Sequence, residues 1–150
     1  MKFALIAAAV AFAATAHAHT DEALDAQASP HGVQTRMAGA YHFELVVARD
    51  AKAAAASPVV VHVTDHAGTK VSTAGAKGTV TLLGGKIKAA VTLAPDGDNR
   101  LKGSGAYVAT PDLKAVVTIT LPGKAPEQAR FTPLAPAAGA AADPHAGHKM

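Results

Sequence analysis

Histidine is the residue type in this chain with the most chemistry to offer, and its positions are uneven. His17 and His19 stand close together near the N-terminus, and His31 follows Ser29-Pro30. His42, His62 and His66 fall in or beside apolar stretches, and His145 and His148 sit in a short tail that ends in Met150. Imidazole suits copper, zinc and nickel, and a thioether such as that of Met37 or Met150 suits Cu(I). Cysteine is absent, which excludes thiolate metal sites, dithiol redox chemistry and disulfides. There is no HExxH helix, no glycine-rich phosphate loop and no nucleophile elbow. Asp50, Asp65, Asp96 and Asp98 stand in turn-like stretches, where Asp belongs for backbone reasons. No paired-carboxylate site is visible. The sequence therefore points away from an enzyme and toward metal binding by nitrogen ligands.

The first segment determines which of these ligands the mature protein keeps. Lys2 is followed by an apolar run from Phe3 to Ala14, and small residues close it. Charge, a short apolar core and an A-x-A site form the export pattern. The run is shorter than the ~20 residues a membrane-spanning helix needs. Residues 1–18 read as a cleavable signal peptide, and the mature protein is expected in the periplasm without a transmembrane segment. Cleavage after Ala18 leaves His19 first, and its α-amine and imidazole can chelate one metal. Cleavage after Ala16 leaves His17-Ala18-His19, whose amine, amides and third-position imidazole favour square-planar Cu(II) or Ni(II).

A formal charge of +3, one unit of it from Lys2, and scattered lysines do not suggest a nucleic-acid binder. With no disulfide available, an alanine- and valine-rich core must hold the domain together. Residues 19–36 read as an N-terminal arm, with a short helix possible over Asp21–Gln27 behind a Thr20 cap. From Met37 the pattern turns to period two, with Tyr41, Phe43, Leu45 and Val47 inward. Further strands are expected at 58–65, about 70–74, 78–83, 86–94, 101–108, 113–121 and 127–132. Gly84-Gly85 and Pro95–Asn99 mark turns between them. On the strand over 86–94, Ile87, Ala89, Val91 and Leu93 are expected inward, and Gly103 and Gly105 are expected to bend the strand after it. The expected fold is all-β, an immunoglobulin-like antiparallel β-sandwich of seven or eight strands over 37–133. Residues 134–150 read as a disordered histidine-containing tail.

This layout places His42 and His62 on the outward faces of consecutive strands, with His66 just beyond. Antiparallel pairing across 49–57 would set His42 opposite a position between His62 and His66. Directly opposed side chains have Cβ atoms about 4.5–5.5 Å apart, close enough to share a metal. The competing reading makes them solvated residues on an exposed face. His145 and His148 form a flexible second capture site or a solubilising tail, and His31 and Met37 are secondary candidates.

Val59 to Leu83 resembles the small exported sandwich domains of the FixH and YtkA-like group. Val61, Val63, Asp65, Gly68 and Val71 fill their pattern of apolar strand, Asp, glycine turn, Val and second strand. The resemblance implies an exported sandwich and, for some relatives, copper handling or oxidase assembly. A mature N-terminal His on a sandwich is also similar to the periplasmic copper carriers of the CopC type, although the rest of the chain departs from their pattern. The expectation is a periplasmic protein that buffers, delivers or confers resistance to copper. Its candidate ligands are His19, His42, His62, His66, His145 and His148, and its partner would be a metal-efflux or oxidase-assembly protein of the envelope. The alternative is a metal-free structural or interaction module of an envelope complex. A copper enzyme with an N-terminal His brace is disfavoured, because a second fixed His and a flat aromatic surface are not evident.

Overall fold

The structure, a computed structural model, describes residues 20–136. The segment read as a signal peptide, His19 and the tail histidines His145 and His148 lie outside the described residues. The elements are α1 (Asp21–Asp25), β1 (Thr35–Ala38), β2 (Tyr41–Val47), β3 (Ser57–Asp65), β4 (Lys77–Gly84), β5 (Ile87–Pro95), β6 (Arg100–Gly105), β7 (Lys114–Thr120) and β8 (Glu127–Phe131). Every strand pairing is antiparallel. The strand order is β1-β2-β3-β6-β5-β4-β7-β8. In it β4, β5 and β6 form a meander and β7 returns beside β4, a Greek-key connection.

The protein is thus an eight-stranded all-β sandwich. Its two layers are joined into one nearly closed sheet by β5, which pairs with β4 along most of its length and with β6 at Ala94 and Pro95. Gly103 lies tightly against β5 just beyond the paired positions. A Cβ there would collide with the Thr92 carbonyl and the Val91 side chain, so the glycine permits the layers to meet. Across the opposite gap, the Gln34 side chain accepts from the Thr132 amide at 2.8 Å, which ties the β1 and β8 edges together.

The alternation read from the sequence fills the core. Phe43, Leu45, Val61, Val80, Val117 and Ile119 are buried in the core, and their strand neighbours lie on the opposite sheet face, where His42 and Glu44 are buried as well. Ile87 departs from the expected pattern. It stands at the tip of the β4–β5 hairpin and is exposed, as is Leu83 on the other side of the same turn, and only Val91 and Leu93 of that strand are buried. The expected strand at 70–74 is also absent. Lys70 makes a single bridge to Thr64. Val71 and Thr73 donate isolated backbone bonds to the Val63 and Asp98 carbonyls, and the buried Thr73 hydroxyl donates to the Arg100 carbonyl at 3.0 Å, so a side-chain bond stands beside single backbone bonds where a ladder was expected. The sequence gives no sign of β1, which starts at Thr35 within the stretch assigned to the arm.

Tyr107 fastens the core to the chain crossing above it. Its hydroxyl donates to the Pro58 carbonyl at 2.7 Å and accepts from the Ala48 amide at 2.8 Å. Removing that oxygen leaves a donor and an acceptor without partners, and each such loss costs about 1–3 kcal/mol. Tyr107→Phe is therefore expected to lower stability by at least ~1 kcal/mol, read from urea unfolding midpoints.

Candidate functional site

The arm does not extend into solvent; it folds back over the outer face of β2 and β3. Thr20 caps α1 by accepting from the Ala23 amide at 3.3 Å, and Asp21 and Glu22 occupy the first turn. An ion pair of 2.6 Å between Arg36 and Asp25 fixes α1 to β1. Leu24 is buried, a contact that stabilises docking by about 1.5–3 kcal/mol. Ser29 accepts from the Val33 amide at 2.8 Å and shapes the turn that presents His31.

Beneath the arm, the strand register gathers the polar side chains. Glu44 pairs with His62 and His42 with Thr64, so His42 lies opposite a position between His62 and His66. His31 comes from the arm and stacks on His62, with ring centroids 3.7 Å apart and planes 13° apart. Its Nδ1 lies 2.9 Å from the Glu44 carboxylate. The Glu44 side chain is 5% exposed and that of His31 41%. His42 stacks on His66 at 4.8 Å, and His66 Nε2 meets the Gly39 carbonyl at 3.2 Å. Four imidazoles and one buried carboxylate therefore share this face. A cleft of about 210 Å³ between arm and sheet is lined by Leu24, Pro30, His42, Glu44, Thr64 and His66.

Two sequence expectations change here. His42 was expected on an outward strand face, solvated in the competing reading, but it is buried, because the arm covers that face. The acidic residues were expected mostly in turns and Glu44 on the outward face of its strand, yet Glu44 is a buried carboxylate. A carboxylate removed from water needs a partner, and His31 supplies it. His31 thus moves from a secondary candidate to the centre of the face. The available signal for Glu44 was its period-two spacing from His42.

The electrostatics favour a neutral His62. Burial, and then the adjacent His31, push its pKa below the ordinary 6.5, with Arg100 and Lys70 adding to this and Glu44 opposing it. A neutral imidazole has the lone pair that metal binding requires. If Nδ1 of neutral His31 donates to Glu44, the lone pair is on Nε2, the arrangement in which a carboxylate orients a metal-binding His. The stacked rings nevertheless hold their lone pairs in nearly parallel planes, so shared coordination needs one ring to turn. His31 is the more exposed of the pair in contact with Glu44 and stands on the arm rather than in a strand. Among the described residues, no group of three or more His, Asp or Glu side chains is arranged to hold a metal ion. Likewise, no helix among them is long and apolar enough to cross a membrane. No family model, curated protein or solved structure matches the chain.

Proposed function

We propose that this protein is exported to the periplasm and binds a transition metal, copper in the first instance, to buffer or deliver it rather than to catalyse a reaction. The observation that carries this reading is the His31 ring, brought by the arm onto His62 and hydrogen-bonded to the buried Glu44. That arrangement supplies imidazole donors and a carboxylate to orient one of them. Without cysteine, nitrogen must dominate the ligand set. Cleavage before His19 would add an α-amine one residue ahead of Thr20, which caps the helix lying against this face. Its recipients would be metal-efflux or oxidase-assembly proteins of the envelope. His145 and His148 would form a second, weaker capture site.

A second reading, a metal-free interaction module, is favoured by the same stack and by the Arg36–Asp25 pair, which dock the arm without a metal. Copper analysis of the protein purified from the periplasm of copper-loaded cells separates the two. About one tightly held copper per chain is expected, on an N-terminus reading HTDEAL. Protein that emerges folded and copper-free, and does not take up copper on addition, would favour the metal-free module. A chain that retains Met1 would contradict export.

A further inference from the structure

The histidine face holds two groups of different chemical character. His31, Glu44 and His62 offer nitrogen and oxygen. The second group lies at the β1–β2 hairpin, where Met37 is the direct cross-strand partner of His42 and His42 stacks on His66 with planes 23° apart, so here too one ring must turn for both imidazoles to reach one ion. Opposed residues on paired antiparallel strands project to the same side, with Cβ atoms about 4.5–5.5 Å apart. Met37 is only partly covered, and its three rotatable bonds let the sulfur swing across that distance. The tautomer of His66 follows from its neighbour. The Gly39 carbonyl can only accept, so the Nε2 facing it carries the proton and Nδ1 keeps the lone pair. A backbone carbonyl holding the other ring N–H is the usual support of a metal-binding His.

We propose that Met37, His42 and His66 form a Cu(I) site, distinct from the His31–Glu44–His62 group, in which the thioether of Met37 selects the reduced ion. Soft sulfur together with imidazole favours Cu(I), whereas a donor set of imidazole and carboxylate favours divalent ions. The protein would then hold copper in either oxidation state on one sheet face, with no electron transfer of its own required. The inference rests on the metal-binding reading but uses side chains that the His31 group does not.

The test is anaerobic titration of the full mature chain with Cu(I) against a colorimetric Cu(I) chelator, together with X-ray absorption at the copper edge. Wild type is expected to compete for Cu(I) and to show a sulfur neighbour. Met37→Leu should lose the sulfur signal and weaken Cu(I) binding by about tenfold or more, by analogy with other losses around metal sites. Its Cu(II) affinity should stay within about twofold, the control that the fold and the other group are intact. Met150→Leu should change neither the sulfur signal nor the Cu(I) affinity. Loss of the sulfur signal in Met150→Leu with Met37→Leu unaffected would overturn the proposal. So would a wild type that takes up Cu(II) but cannot compete for Cu(I), and in that case the broader metal-binding reading would survive.

Discussion

Ile119→Ala is expected to destabilise the domain by about 2–5 kcal/mol, the range for emptying a buried Ile position. Ile119 is 1% exposed and its strand neighbours Thr118 and Thr120 are on the partly covered face of β7. Thr118 receives only an exposed hydrogen bond from Gln128, so Thr118→Ala should cost less than about 1 kcal/mol. Denaturant unfolding of the two variants checks this. Equal losses would show that both faces of β7 are buried and that the two-layer description is wrong.

A larger effect on function is expected from Glu44→Gln. The change keeps the size of the side chain but removes the charge that orients His31. Loss of a carboxylate behind a metal-binding His typically weakens metal affinity about 10–100-fold, and that is the drop expected for Cu(II). The neutral amide still fits the cleft and can accept from His31, so thermal unfolding should remain cooperative. A variant that binds Cu(II) as tightly as wild type would show that Glu44 serves the arm's docking alone.

Much of the sandwich was legible because period-two alternation is a local property. Leu113–Leu121 and Tyr41–Val47 each show which face is inward without reference to the rest of the chain. The spacing across 49–57 was enough to set His42 opposite the stretch between His62 and His66. The failures have non-local causes. Val71 in the stretch read as a strand does donate to the Val63 carbonyl, but the Thr73 hydroxyl ties that segment to the turn before β6. Ile87 follows the inward alternation but stands exposed at the hairpin tip. β1 is four residues long and carries no alternation of its own.

The site was half legible for a similar reason. His42, His62 and His66 could be placed on one face from strand spacing alone. The role of His31 depends on the arm folding back, and the arm's sequence shows only Leu24 and Val33 as larger apolar anchors. Glu44 reads as a solvent-facing residue in the strand pattern, and becomes a buried carboxylate only once the arm covers it. Period and spacing locate a residue on a sheet face, but they do not reveal what later covers that face.

The central claim is that copper binds at the face where His31 meets His62. Nitrogen hyperfine coupling in the electron paramagnetic resonance of the protein loaded with one equivalent of Cu(II) tests it most directly. Wild type is predicted to show coupling from imidazole nitrogens, to lose much of it in the His31→Ala/His62→Ala double variant, and to keep it in His145→Ala/His148→Ala. A signal that survives the first double variant and disappears in the second would place the copper on the tail and contradict the account.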